Sequence, residues 1–224
     1  MHKDNILVVA DTHFPFEIKN YLHFCKQIQK RVKCGTVVHA GDVVDNHAIN
    51  YHEHDPDGRS PEDEMKEVDR SLKLWTKAFP KMHICLGNHD RMVNRKGRTV
   101  GLPSRVFRPF REIWNLPKGW RDDFSWEFYG VRYMHGTGYS GDNAHIKAAY
   151  DNRQSTVIGH THSFGGVGHL ANNKDCIFGM NVGCGILRKS YAFEYGRDFK
   201  KKPIIGVGVV TDGGKYAQFF PMDL

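Results

Sequence analysis

One pattern constrains the fold of this chain more than any other. Five short apolar runs each stop abruptly at an aspartate, asparagine or histidine. Ile6 to Ala10 ends at Asp11-Thr12-His13, Thr36 to Ala40 at Gly41-Asp42, and Met82 to Leu86 at Gly87-Asn88-His89-Asp90. Further on, "VRYM" runs into His135, and "TVIG" into His160-Thr161-His162. Short apolar runs rich in β-branched residues and bounded by turn residues read as buried strands. Between them lie stretches of helical period. Ile18, Tyr21, Leu22, Cys25, Ile28 and Val32 recur at three- and four-residue spacing. Ser60-Pro61-Glu62-Asp63 is a helix start with a capping hydroxyl, a proline in the first turn and acids at the positive end of the dipole. Met65, Val68, Leu72, Trp75 and Phe79 then mark that helix's buried face.

Strand and helix in alternation imply a layered α/β core with parallel strands. The second half is richer in β-structure. "SWEFYGVRYMH" reads as two strands turning near Tyr129-Gly130, Ala144 to Tyr150 as a short helix, and "STVIG" as a strand. A hairpin is expected about Asp212-Gly213-Gly214. Residues 91–123 read as a basic insertion without clear periodicity. In open α/β sheets the carboxyl ends of the strands form the ligand crevice. The five polar stops should therefore converge on one edge.

Composition narrows the chemistry. No run approaches the roughly 18 apolar residues of a membrane span, and "MHKDNILVVADTH" has no secretory leader, so a cytoplasmic protein is expected. The five cysteines are odd in number and scattered, which suits neither a disulfide framework nor a zinc finger. A net charge of +7 favours acidic partners, phosphorylated substrates or nucleic acid among them. The 14 histidines cluster beside Asp, Asn and Gly, as a metal site requires. Imidazole and oxygen donors without thiolate suit Mn²⁺, Fe, Zn²⁺ or Ni²⁺.

Taken in order, Asp11/His13, Gly41-Asp42-Val43-Val44-Asp45, Gly87-Asn88-His89-Asp90, His135 and Gly159-His160-Thr161-His162 resemble the motifs of the calcineurin-like metallophosphoesterase family. The wording is similar to small, single-domain members of the type encoded by bacteriophages. The resemblance implies a single domain over residues 1–224, folded as a four-layer α/β/β/α sandwich of two mixed sheets flanked by helices. The hairpins after residue 162 would suit its second sheet. It also implies two divalent cations, Mn²⁺ first. Asp11, His13, Asp42 and His162 would hold one, and Asp42, Asn88, His135 and His160 the other, with Asp42 bridging. A water shared by the ions would attack phosphorus as hydroxide. His89 would protonate the leaving oxygen as general acid, oriented by Asp90 or Asp45. Gly159 would let the strand turn sharply enough to present both rings.

Two departures from the Ser/Thr protein phosphatases stand out. Asn46 occupies the place of a phosphate-gripping arginine, and a second such arginine has no assured counterpart, although Arg91 adjoins the third motif. A protein-phosphatase substrate is accordingly disfavoured. His47 lies close enough to the second motif to touch substrate. Arg95, Lys96 and Arg98, with Phe107 and Phe110 interleaved among the following arginines, suggest phosphate contact and base stacking. The function expected is hydrolysis of phosphodiester or phosphomonoester bonds, with a nuclease as the alternative. A reading from another class is a catalytically inactive scaffold on the same fold, against which stands the presence of every ligand and of His89. His39 is expected to be a packed core histidine, and His52 and His54 to belong to a solvated loop.

Overall fold

The computed structural model describes residues 2–51, 58–187 and 200–223; His52 and His54 fall outside them. The strands are β1 (His2–Val9), β2 (Cys34–His39), β3 (Met82–Cys85), β4 (Trp120–Asp123), β5 (Ser125–Phe128), β6 (Val131–Met134), β7 (Thr156–Ile158), β8 (Gly165–Ala171), β9 (Cys176–Val182), β10 (Gly206–Thr211) and β11 (Tyr216–Pro221). The helices are α1 (Tyr21–Val32), α2 (Pro61–Ala78), α3 (Met92–Thr99), α4 (Phe110–Ile113) and α5 (Ala144–Asn152). Two mixed sheets result, ordered β11-β10-β1-β2-β3-β4 and β5-β6-β7-β9-β8. The strands that carry the polar stops run parallel to one another within each sheet.

The alternation along β1 builds the layers. Leu7 and Val9 join the core beneath α1 and α2, whereas Ile6, Val8 and Ala10 point to the other sheet and pack with Tyr133, Val157 and Met180. Ala144 and Ala148 of α5 cover the outer face of the second sheet against Ile158. The order is therefore helix, sheet, sheet, helix. On α2, Ser60 caps the helix by accepting from the Asp63 N–H at 3.2 Å, as its sequence predicts. Its Trp75 lies among Phe14, Tyr21 and Phe79, ring centres 5.4, 6.1 and 5.6 Å away. Each such buried side chain contributes about 1.5–3 kcal/mol.

The hairpin of β10 and β11 departs from expectation. It lies in the first sheet, where β10 pairs antiparallel with β1 from Ile6↔Val210 onward, and the second sheet is completed by β8 and β9 instead. The reason is the free edge of β1: β10 is buried almost throughout and satisfies the ladder that β1 would otherwise leave open. The segment 91–123 holds α3 and α4 and ends in β4, which pairs in parallel with β3 as an edge strand of the first sheet. Among the described residues no helix is long and apolar enough to cross a membrane.

Candidate metal centre

All five polar stops meet at the carboxyl ends of the central strands, and the backbone that presents them is unusual. Asp11, His13, Asp42, Asn46 and His160 have φ of +51°, +47°, +52°, +53° and +68°. This left-handed region is one that Asp, Asn and His tolerate better than other non-glycine residues. Cross-links hold the loops in register. Asp11 N–H donates to Gly41 O at 2.9 Å, His13 N–H to Asp42 O at 3.1 Å, and Gly159 N–H to His135 O at 3.1 Å. His160 N–H donates to Asp11 Oδ2 and His89 N–H to Asp42 Oδ1, at 2.9 and 2.8 Å.

The side chains gather about two foci. Asp11 Oδ1 and His13 Nε2 stand 3.0 and 3.3 Å from His162 Nε2. In the second group, Asp42 Oδ2, Asn88 Oδ1 and His160 Nδ1 each stand 3.1 Å from His135 Nε2. Asp42 Oδ2 is also 3.9 Å from His13 Nε2, so this carboxylate lies between the groups. All seven sequence-predicted metal residues are thus brought together. Among the described residues, Asp11, His13 and His162 form one cluster able to hold an ion, Asp42, His135 and His160 another, and His13, Asp45 and His89 a third beside the first.

Proton bookkeeping tests whether cations fit. His13 Nδ1 can only donate to Asp45 Oδ1, at 2.6 Å, and His135 Nδ1 to the Ala40 carbonyl, at 2.9 Å. In the neutral rings both Nε2 atoms are then lone pairs. They face carboxylate and amide oxygens and other imidazoles at close range, so each focus collects donors that only a proton or a cation can reconcile. The acidities carry the same signature. Burial opposes ionisation of Asp11, but His162 and His13 hold it well below the carboxylate range. Burial also pulls His135 down, but Asp42 and Asp11 raise it to about 9. The residues present fit divalent metal.

Around the foci lie the expected catalytic groups. His89 Nδ1 donates to the Asp45 carbonyl at 2.6 Å and lies 3.5 Å from Asp45 Oδ1, while its ring centre is 4.7 Å from that of His13. The Asp90 carboxylate takes another course. It accepts from the N–H groups of Asp42, Val43, Val44 and Gly87, at 2.9, 2.9, 3.2 and 2.9 Å. Burial and the Asp42 charge raise its carboxyl to about 6. Of the two candidates for orienting His89, Asp45 therefore adjoins it and Asp90 braces the loops. Asn46 Nδ2 donates to the His89 carbonyl at 2.8 Å. His47 is buried, its N–H donating to Glu64 Oε1 and its ring against Phe16. Arg91 Nε and Arg95 Nη1 donate to the carbonyls of Gly87 and Asn88, at 3.0 and 3.4 Å, and Lys96 lies over the Tyr51 ring. Arg98 closes the same helix.

The glycine before the two histidines works differently from the sequence expectation. Gly159 does not adopt a positive φ; the residue that does is His160. A Cβ on Gly159 would collide with Asp11 Oδ2 and Ala10 Cβ, and one on Gly87 with the Asp42 carboxylate. Close approach, not turning freedom, requires glycine at both.

Two supporting residues escaped the sequence. Asn181 of β9, fully buried, directs Nδ2 at the carbonyls of Gly159 and Thr161, both 3.3 Å away, and at Thr161 Oγ1, 2.5 Å away, and accepts from Gly183 N–H at 2.9 Å. It thereby clamps the loop that carries His160 and His162. Nothing local marks an asparagine within "CIFGMNV" for this task. Thr12 donates to the Val43 carbonyl at 2.9 Å, so His39 Nε2 must donate to Thr12 Oγ1, at 3.0 Å. His39 is indeed buried in its strand, and burial lowers it to about 3.

Comparison with known proteins adds the lineage. The sequence model of the calcineurin-like phosphoesterase family matches residues 5–164. No curated protein matches the chain. Among solved structures, a hypothetical protein from Pyrococcus horikoshii OT3 is similar with a TM-score of 0.55 at 10% identity, covering 98% of this chain and 88% of that one. Vacuolar protein sorting 29 from Cryptosporidium parvum has a TM-score of 0.47 at 13% identity, covering 99% and 98%. YfcE, a phosphoesterase from E. coli, has 0.39 at 14%, covering 93% and 88%.

Proposed function

The chain belongs to the calcineurin-like phosphoesterase family, and from that premise we propose that it is a hydrolase of phosphoric esters dependent on two divalent cations. One observation carries the proposal: seven donors converge on two foci that share the Asp42 carboxylate. Asp11, His13, Asp42 and His162 would hold one cation, and Asp42, Asn88, His135 and His160 the other, with Mn²⁺ the first choice and Fe, Zn²⁺ or Ni²⁺ the alternatives. When bound, such a pair acidifies water and draws the charge of the phosphoryl oxygens.

The chain's own residues do the rest. Asp45 fixes the tautomer of His13, and the Ala40 carbonyl that of His135, aiming both Nε2 atoms inward. His89 commits Nδ1 to the Asp45 carbonyl, which leaves Nε2 to carry a proton to the departing oxygen. Asp90, through four backbone amides, keeps the Asp42 loop and the Asn88 loop at a fixed separation. The substrates are phosphodiesters or phosphomonoesters, and the compartment is a reducing, cytoplasm-like one, in keeping with five free cysteines.

The test is hydrolysis of bis-p-nitrophenyl phosphate and p-nitrophenyl phosphate by protein stripped with EDTA and reloaded with Mn²⁺. Activity should vanish and return, and Asp42→Asn should lose cations and turnover together, because a neutral amide bridges two cations poorly. Turnover that survives EDTA, or Asp42→Asn protein that keeps both ions, would refute it.

A further inference from the structure

The segment that leaves the Asn88 loop bears on the substrate. From Arg91 to Arg111 the chain carries seven arginines and lysines and no carboxylate. Four of them, Arg91, Arg95, Lys96 and Arg98, stand on or beside α3, which begins two residues after Asp90. Among the described residues none of these four has a carboxylate within ion-pair distance, whereas Arg108 and Arg111 pair with Glu112 and Asp122. The charges that lead away from the Asn88 loop are thus uncompensated.

Their placement is specific. Arg91 and Arg95 are tied to the carbonyls of Gly87 and Asn88, so the cationic row starts at the metal-side loop. It is flanked by aromatic rings. Arg95 and Lys96 lie over Tyr51, 5.1 and 3.9 Å from its centre, and Arg91 over Phe124 at 5.2 Å. Tyr51 and Phe124 are 49% and 63% exposed, enough to offer ring surface to a ligand. A small monoester would leave this row uncompensated. A duplex would present its phosphates but not its base faces.

We infer that the substrate is a single-stranded polynucleotide, with one phosphate at the metal centre, flanking phosphates along α3, and bases stacked on Tyr51 and Phe124. The inference rests on the phosphoesterase reading and gives it a substrate class.

Binding of a labelled 20-nucleotide single strand, followed by fluorescence anisotropy across a salt series, tests it. The full chain is used in EDTA, so that the strand is not cut. The logarithm of the affinity should fall linearly with that of salt, with a slope of about −0.7 for each phosphate neutralised. The triple variant Arg95→Ala, Lys96→Ala, Arg98→Ala should flatten that slope by about 2 and weaken binding about 100-fold at 0.1 M salt. Arg95→Lys with Arg98→Lys should retain both slope and affinity, and Tyr51→Ala with Phe124→Ala should weaken binding without changing the slope. A triple variant that binds as the native chain does overturns the inference. So does equal competition by duplex or by inorganic polyphosphate. Hydrolysis of bis-p-nitrophenyl phosphate by the native chain with Mn²⁺ is read separately. A strand bound by protein that cleaves no ester refutes the hydrolase while the binding surface stands; an ester cleaved by protein that binds no strand refutes the surface alone.

Discussion

Replacing Asn181 with leucine, which keeps its branched outline but not its amide, should disable the candidate metal centre from behind. The residue is fully buried, and its three oxygen contacts around Gly159 and Thr161 share the two hydrogens of one amide. Two net hydrogen bonds of about 1 kcal/mol each are therefore lost. The Gly159 and Thr161 carbonyls keep a second donor, Thr161 N–H and Phe164 N–H respectively. Gly183 N–H loses its acceptor, and a buried orphan of that kind costs a further ~1–3 kcal/mol. The sum is about 3–5 kcal/mol, which in a chain of this length lowers Tm by about 6–20 °C. The loop released is the one that presents His160 and His162, so Mn²⁺ affinity should fall about 10–100-fold, as it does when an outer partner of a metal site is removed. Calorimetric unfolding with and without Mn²⁺, together with titration of Mn²⁺ into the apoprotein, reads both effects. A lower Tm with native Mn²⁺ affinity would refute the reasoning, since Asn181 would then support the sheet and not the loop.

Other substitutions separate the remaining roles. Gly159→Ala places a methyl group against Asp11 Oδ2 and Ala10 Cβ; it should cost about 1–3 kcal/mol as overpacking and weaken Mn²⁺ binding, and native affinity by titration would contradict the steric argument. His89→Ala should slow turnover by about 10²–10⁴-fold, less for substrates with very good leaving groups; a uniform loss across a leaving-group series would remove it from the proton transfer. Asp90→Asn should lower Tm without altering that leaving-group dependence, because its carboxylate serves backbone amides; a changed dependence would return Asp90 to the chemistry. His39 stays neutral in the folded chain down to about pH 3, whereas in the unfolded chain it takes up a proton below about 6.5. The unfolded state thus binds more protons in that window, and stability falls as the pH falls. Urea unfolding of His39→Leu should lack about 1.4 kcal/mol of this loss per pH unit below about 6.5, and parallel acid limbs for the two proteins would overturn the assignment.

Much of the candidate centre could be read from the chain because its candidate donors sit at strand ends, where an apolar run and its polar stop are adjacent in sequence. Wherever a decision belonged to tertiary structure, that advantage ended. β4 hides in "WRDD", an edge strand whose solvent face is charged and which follows a basic stretch. β8, "GGVGHLA", opens on glycines that lower its strand propensity. The hairpin about Asp212 was legible as a hairpin but not in its sheet, because the edge of β1 that it covers is known only once the sheets are built. Asp45 and Asp90 look alike as neighbours of His89; four backbone amides distinguish them, and no spacing encodes those. The basic character of α3 was plain, but its aromatic neighbours Tyr51 and Phe124 come from distant parts of the chain.

The left-handed backbone at Asp11, His13, Asp42, Asn46 and His160 has an evolutionary consequence. Each non-glycine residue held there costs of order 1 kcal/mol or more. While the chemistry is under selection, the loss is tolerated. Once it is not, these positions become sites where mutation can restore stability, and the physics orders the replacements. Glycine removes the cost outright and asparagine much of it, while β-branched residues raise it. A descendant in which the proposed hydrolysis is no longer under selection should therefore drift first toward glycine at these places, and toward asparagine at the four that do not already hold it. Positions such as His135, outside that strained set, should erode without such a bias.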